Sequence, residues 1–364
     1  MTSIQSGVWL FLDSSSVGGI ETHVMQLSQG LASYGVDVTL ILYQAYPDSP
    51  IPSLFHQLVE TSGTERLTVR ILDGHFLSLY RLIRNNQPPT LLHTHGYKAG
   101  LIGRFTSRLM GIPVASTWHA GEVPAGIVRS YDFIDRYTAP LAQLRFAVSP
   151  QIQSRLPVSS RVMDNFVDMD STHLSNGQQL AFVGRLSHEK GPDVFLELAQ
   201  RLTAQPFHMY GGGDMYQELH ATAPDNAHLH GMQTDMSTVW EQVGLLIMPS
   251  RFEGLPMAVL EAMARGIPVV ASNVGALPSV IQHGKNGWLV PAADSDAFTA
   301  AIQQWLSLPE PDKQTVRLAA RDTIQTRFSA TAIIPEFVQA YQTIAPDLYR
   351  DNQTSALSSS CDDA

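Results

Sequence analysis

Two carboxylates in one short segment give the most pointed chemical signal in the chain. Glu253 and Glu261 stand eight residues apart in MPSRFEGLPMAVLEAMA, Met248–Ala264. Glu253 precedes a turn at Gly254–Leu255, and Pro256 suits the first position of a helix because it has no N–H to lose. The free N–H groups of that first turn favour an anion. Glu261 lies two turns further along the predicted helix, so it meets a deeper part of the same ligand. A carboxylate accepts paired hydrogen bonds well, for example from vicinal hydroxyls. The blander alternative is a helix with an acidic flank and a surface glutamate. It leaves a carboxylate inside the apolar run Met257–Ala264, which is costly without a partner.

A second segment supplies cations. In AFVGRLSHEKGP, Ala181–Pro192, Arg185 and Lys190 follow an apolar run. A planar guanidinium and a mobile ammonium together suit a diphosphate. The alternative is two solvated cations paired with Glu189 and Asp193. In VGGIE, Val17–Glu21, Gly18 and Gly19 let a ligand approach the backbone at a helix start. Neither this turn nor Gly211–Gly213 supplies the G-x-G-x-x-G of a dinucleotide fold. Histidines form a third set. His93 and His95 alternate at the end of one apolar run, and His119 follows another before Gly121. A neutral imidazole can donate to a sugar hydroxyl or a developing charge. His-x-His is also a metal-ligand spacing, repeated at His228 and His230, and would suit a metal-dependent hydrolase. Two Asp-x-Asp triplets, Asp168–Asp170 and Asp294–Asp296, could hold a divalent metal; the second reads better as a helix cap.

These residues need elements to hold them. Val8–Leu12 reads as a buried strand, and Glu21–Tyr34 carries Val24, Leu27, Leu31 and Tyr34 at helical spacing. Val36–Tyr43, Thr90–His93 and Val114–Thr117 read as further strands, with a helix over Gly96–Met110. The second half repeats the pattern. Strands are expected at Leu180–Val183, Phe207–Tyr210, His228–Leu229, Leu245–Met248, Val269–Ala271 and Trp288–Val290. Helices are expected at Val194–Leu202, Pro256–Ala264, Asp294–Leu306 and Lys313–Arg327. This alternation predicts an α/β chain with two doubly wound parallel sheets in series, joined near Pro157–Asp170. The singled-out residues fall just after the strands, where open sheets bind ligands.

Composition bounds the function classes. The chain has 364 residues, 44% of them apolar and 15% charged, which is globular. Its single cysteine, Cys361, excludes a disulfide framework and a cysteine zinc site. A net charge of −10 argues against nucleic acid. Residues 1–165 carry +1 and residues 166–364 carry −11, as expected of two domains with different surfaces. No apolar stretch is long enough for a membrane-spanning helix, and Met1–Asp13 does not read as a secretory signal. A cytoplasmic protein is expected, with the inner face of the membrane as an alternative place. Tyr97–Met110 mixes Lys98, Arg104 and Arg108 with Leu101, Ile102, Phe105 and Leu109. It could touch anionic lipid weakly, although an ordinary half-buried helix is the favoured account. The tail 351–364 is rich in Ser and Asp and reads as disordered.

In order along the chain stand GGIE (Gly18–Glu21), HTHG (His93–Gly96), TWHAG (Thr117–Gly121), DNFVD (Asp164–Asp168), FVGRLSHEKG (Phe182–Gly191) and FEGLPMAVLEAMARGIPVVAS (Phe252–Ser272). Together they resemble family 4 of the retaining glycosyltransferases, from Val8 to about Ala345. The resemblance implies a GT-B fold, two Rossmann-like domains facing across a cleft. Domain 1–165 would bind acceptor, with a helix near 334–348 crossing back to it, and domain 166–333 would bind the donor. Arg185 and Lys190 would hold the pyrophosphate of a nucleotide-diphosphate sugar. Glu261 would take the ribose hydroxyls and Glu253 the donor sugar. Gly254, Leu255, Pro256 and Met257 would line sugar and phosphates, and Gly18 and Gly19 would approach the phosphates. His119 would stand near the reacting carbon, with His95 and Glu21 as contacts to acceptor or sugar. The implied reaction moves a sugar to a hydroxyl of a glycan or lipid-linked acceptor, with retention and with no metal or other cofactor. Bacterial surface polysaccharide synthesis is the implied setting. A sugar-nucleotide epimerase or hydrolase, and a non-catalytic binding module, are the alternatives. Phe166 stands where the family commonly has Gly, and the loops after Tyr43 match no pattern.

Overall fold

The protein is described here by a computed structural model covering residues 6–15, 17–119, 127–170 and 172–349. The chain divides into two compact units, residues 1–164 with 330–364, and residues 165–329. The predicted tail 351–364 and Gly121 lie outside the described residues.

The first unit is a parallel sheet of seven strands: β1 (Val8–Leu12), β2 (Val38–Leu42), β3 (Leu67–Ile71), β4 (Leu91–His95), β5 (Val114–Trp118), β6 (Leu144–Ala147) and β7 (Arg161–Val162). Their order is β3-β2-β1-β4-β5-β6-β7, with the reversal of winding at β1. Strands β1, β2, β4 and β5 are buried along their whole length. Their near-continuous apolar runs are what a sheet covered on both faces requires. In register, Leu12 stands beside His95, and His95 beside Thr117. The histidine run therefore ends at the carboxyl edge of the sheet. The helix Ala330–Gln342, starting four residues before the predicted 334, packs back on this unit. Its Ile334 lies over Gly30, where a Cβ would come within 2.5 Å.

The second unit is a parallel sheet of six strands: β8 (Gln179–Val183), β9 (Phe207–Tyr210), β10 (Ala227–Gly231), β11 (Val243–Met248), β12 (Val269–Ser272) and β13 (Gly287–Val290). Their order is β10-β9-β8-β11-β12-β13. One face packs on the helices Met257–Ala264 and Glu310–Arg327, through Leu260, Met263, Ala320 and Ile324. The other packs on Pro192–Arg201 and Ser295–Ser307, through Phe195, Leu198, Phe298 and Trp305.

Several elements differ from the sequence-based expectation. Pro256 is the extended residue that caps the helix (ψ 132°), and the helix begins at Met257. The predicted linker is structured in part: β7 lies inside it, and Val167 bridges to Ser329. Strand β3 is not among the expected strands, although Leu67, Val69 and Ile71 alternate with Thr68 and Arg70 as in a half-buried strand. The helix Ile127–Tyr137 has no clear signature in the sequence, because its buried face carries Asp132 and Asp135. Among the described residues no helix is long and apolar enough to cross a membrane.

Candidate functional site

In the second unit, the cation segment and the carboxylate segment interlock. Lys190 ends a short helical turn, His188–Lys190, after β8. Its Nζ lies 2.8 Å from both Glu253 oxygens. The Ser250 hydroxyl donates to Glu253 Oε1 at 2.8 Å. The Glu253 side chain is only 3% exposed, so these partners hold a carboxylate that burial would otherwise penalise. Beside this pair, Arg251 forks onto Asp193 at 2.8 and 2.6 Å, and its Nη1 donates to the His188 carbonyl. The fork holds the Asp193 carboxyl below its ordinary range. Lys190 therefore pairs with Glu253, and Arg251 takes Asp193, the acid that a merely solvated loop would have given to Lys190.

Two left-handed glycines make the interlock sterically feasible. Gly191 (φ +68°) brings its α-carbon against the Pro249 carbonyl, and a Cβ would stand 2.2 Å from that oxygen. Gly275 (φ +58°) does the same under Glu253, where a Cβ would come within 2.0 Å of the carbonyl oxygen. A side chain at either position would push the loop away and strain the backbone.

The carbonyls of the Glu253–Met257 turn are largely spoken for. Gly254 O accepts from Ala276 N at 3.1 Å, and Leu255 O from Asn165 Nδ2 at 2.6 Å. The Leu255 side chain is core, 2% exposed. The N–H groups of Gly254, Leu255, Met257 and Ala258 find no acceptor among the described residues, and no side chain caps the helix. The turn therefore presents donors and almost no acceptors, which suits an anion. Arg185 is exposed and makes no ion pair among the described residues. Glu261 sits on the same helix, its Oε2 accepting from Trp240 Nε1 at 3.0 Å. Burial pushes its carboxyl up, opposed by Arg265 and by the Trp240 hydrogen bond. Trp240 is a partner that sequence spacing does not suggest, whereas Arg265 stands four residues after Glu261, the usual spacing of a helical acid–base pair.

The first unit holds a different cluster. His95 Nδ1 and His119 Nε2 are 3.1 Å apart at the ends of β4 and β5. A third ring, His23, lies 4.9 Å from His119 and 5.7 Å from His95, centroid to centroid. One ring nitrogen from each of His23, His95 and His119 lies within 4.8 Å of the other two, close enough for a metal ion. Sequence reasoning does not reach His23, because it lies within a helix, two residues after Glu21. His93 is structural: Nδ1 is 2.7 Å from the Tyr341 hydroxyl, and Nε2 is 2.7 Å from Thr117 Oγ1. Burial holds His93, His95 and His119 well below the ordinary imidazole range, so they are neutral.

Gly18 caps the helix Gly19–Ser33 in extended conformation, and Gly19 is exposed at its first position. Glu21, 6% exposed, turns back so that its Oε2 would sit 3.2 Å from a Cβ at Gly18. An acid in the first turn suits the helix dipole. His228 and His230 fall on edge strand β10 beside His208, with His208 Nδ1 3.0 Å from His230 Nε2. Asp294 caps its helix through Ala297 N, as the sequence suggested, and Asp168 accepts from Asp170 N in a local turn.

Comparison with known proteins adds an independent finding. The family model described as "Glycosyltransferase Family 4" matches residues 17–170, and that described as "Glycosyl transferases group 1" matches residues 177–307. Together they span more than three quarters of the chain. A UDP-Gal:alpha-D-GlcNAc-diphosphoundecaprenol alpha-1,3-galactosyltransferase of Escherichia coli is 23% identical over 265 residues, 62% of this chain and 68% of that protein. The amylovoran biosynthesis glycosyltransferase AmsK of Erwinia amylovora is 34% identical over 164 residues, 40% of each chain. Among solved structures, Anabaena HepE in complex with UDP-glucose superposes with a TM-score of 0.79 at 18% identity, over 93% of this chain and 100% of that one. At that identity the likeness bears on the fold.

Proposed function

This chain is a family 4 glycosyltransferase of the GT-B fold, and on that premise we propose that it moves a sugar from a nucleotide-diphosphate donor to a hydroxyl of a glycan or lipid-linked acceptor, with retention and without a metal. Synthesis of a bacterial surface polysaccharide is the setting that the named relatives suggest. One observation carries the donor assignment. In the second unit a lysine is fixed on a buried carboxylate, an exposed arginine stands five residues before that lysine, and N–H groups with no acceptor among the described residues follow the carboxylate.

The chemistry follows from where charge develops. The bond between the anomeric carbon and the diphosphate oxygen breaks, and the diphosphate carries away the electron pair. Arg185, Lys190 and the helix start at Met257 meet that charge with preorganised donors. The Glu253 carboxylate fixes Lys190 so that little reorganisation is needed. Glu253, Gly254, Leu255, Pro256 and Met257 then line the sugar and phosphates. Glu261 retains Oε1 for ribose hydroxyls, because Trp240 occupies Oε2. The acceptor oxygen attacks the face that the diphosphate leaves, and its proton passes to the departing phosphate. His119 is assigned to the reacting carbon, and His95 and Glu21 to acceptor or sugar. Neutral imidazoles there avoid repelling an oxocarbenium-like centre.

Thermal unfolding with a panel of nucleoside diphosphates and their sugars, each with and without EDTA, tests this. Ligand at ~100 times its dissociation constant should stabilise by about 2.7 kcal/mol. The expected result is a shift with one base, indifferent to EDTA and abolished by Arg185→Ala or Glu261→Ala. A shift that disappears with EDTA would refute the metal-free mechanism, and no shift with any nucleotide would refute the donor site.

A further inference from the structure

Three histidine rings meet in the first unit, and among the described residues no carboxylate joins the group. They come from three separate segments. His23 lies on the helix Gly19–Ser33 after β1, His95 ends β4, and His119 directly follows β5. Strands β1, β4 and β5 are neighbours in the sheet, so the rings gather where its winding reverses. His95 stands in register with Thr117, two residues before His119, and the two rings are 5.4 Å apart between centroids.

The two histidines of β4 are in opposite circumstances. His93 uses both ring nitrogens on hydroxyls, Tyr341 and Thr117, each at 2.7 Å. It therefore supports the group from behind, its ring 4.2 Å from that of His95. His95 is fully buried, and its Nε2 has no hydrogen-bond partner among the described residues. A buried polar atom left open is costly until a ligand meets it. His95 Nδ1 and His119 Nε2 are 3.1 Å apart. Two nitrogens on one tetrahedral zinc, each bonded at about 2.0 Å, stand about 3.3 Å apart. With one nitrogen of each ring within 4.8 Å of the others, ring rotations that move a nitrogen by about 1.5 Å or less close the set.

The donor atoms select the ion. An all-imidazole set suits zinc and its transition-metal neighbours, whereas magnesium and calcium require oxygen. The pair His93-x-His95, whose spacing alone resembles a ligand pair, is not the site, because His93 faces hydroxyls.

We propose that His23, His95 and His119 form a site for one transition-metal ion of the zinc class, an ion that sugar transfer does not need. The ion takes the imidazole assigned to the reacting carbon, so its occupancy blocks transfer. Only this blocking step rests on the proposed function; the binding rests on the geometry of the first unit.

Titration of the metal-stripped full chain with Zn2+ and with Co2+ tests the site. One ion per chain is expected, with a melting temperature that Zn2+ raises and EDTA restores, and with the strong visible absorption of tetrahedral Co2+. Mg2+ should do none of this. His23→Ala, His95→Ala and His119→Ala should each weaken binding by at least the roughly tenfold that loss of an outer partner costs. The Co2+ spectrum of the unaltered chain decides the matter even where such a variant fails to fold. His208→Ala/His230→Ala removes the other close imidazole pair, at the edge of the second sheet, and should bind as the unaltered chain does. Absence of binding, an octahedral Co2+ spectrum, an equal response to Mg2+, or binding that only the His208/His230 variant abolishes would overturn the site. Zinc should stop transfer and EDTA should restore it; undiminished transfer by the zinc-loaded chain would overturn the blocking step. Nucleoside diphosphates that shift the melting temperature of a chain that Zn2+ leaves unchanged would overturn this site and leave the donor site standing. The reverse pattern would overturn the donor site and leave this one.

Discussion

In the first unit, the side chains at the carboxyl ends of β4 and β5 include neutral imidazoles, packed ring against ring and kept from protonation by burial, while Asp13 after β1 pairs with Lys98. At the corresponding edge of the second unit, Lys190 is ion-paired with Glu253 and Arg251 with Asp193, while Glu261 accepts from Trp240. Similar sheet architectures thus carry a cluster of neutral imidazoles in one unit and a cluster of buried charges in the other. Under the proposed reaction, the two kinds of side chain would suit different charges. A departing diphosphate needs fixed cations and donors, whereas a carbon that becomes cation-like is better served by neighbours that carry no positive charge.

The sharpest way to break that comparison is to remove the charge. Lys190→Met leaves the buried Glu253 carboxylate uncompensated, so transfer should fall about 100-fold or more and the second unit should unfold at lower temperature. Adding Glu253→Gln should restore the melting temperature without restoring transfer. If activity returned with stability, Lys190 would be a structural cation and the contrast between the units would dissolve.

A smaller effect should separate the units by pH. Imidazoles whose folded pKa lies below 6.5 contribute stability that is complete above 6.5 and is lost as pH falls. The first unit should therefore lose melting temperature between pH 7 and pH 5, a loss that Asp135, the carboxyl raised to about 6 in the same unit, partly offsets. His93→Gln should flatten that slope, although it costs about 1–3 kcal/mol at neutral pH by disturbing the Tyr341 and Thr117 contacts. An equal slope in His93→Gln, followed by unit-resolved hydrogen exchange, would show that the histidines are not the source.

The smallest effect has the opposite sign and sits beside the first. Burial pushes the Asp135 carboxyl up to about 6, against the pull of Arg104. A carboxyl raised from 3.8 contributes most below that value and loses its contribution as pH rises through 6. A tenfold change in proton affinity between the folded and unfolded chain corresponds to about 1.4 kcal/mol. Asp135→Asn should thus gain on the unaltered protein as pH rises from 4 to 7, measured as a difference in melting temperature. A constant difference would mean that Asp135 titrates as it does in the unfolded chain.

Strands such as β1, β2 and β11 were legible as apolar runs, because a strand covered on both faces has little choice of residue. Lys190 and Glu253 were singled out by their segments in the sequence, but not as each other's partners, because 63 residues separate them. His23 was hidden by its place in a helix, and Trp240 by lying 21 positions before its partner Glu261. The helix Ile127–Tyr137 was hidden because its apolar and acidic faces are reversed, so the usual periodic signal points the wrong way.

By itself the sequence determined the fold class and the chemical types available, because apolar periodicity and glycine placement are local properties. Tertiary structure decided which cation meets which acid. Lys190 finds Glu253 across 63 residues, Arg251 finds Asp193 across 58, and Arg104 finds Asp135 across 31. A charge buried by folding must take whichever counter-charge the fold brings within reach, and no local pattern encodes that choice.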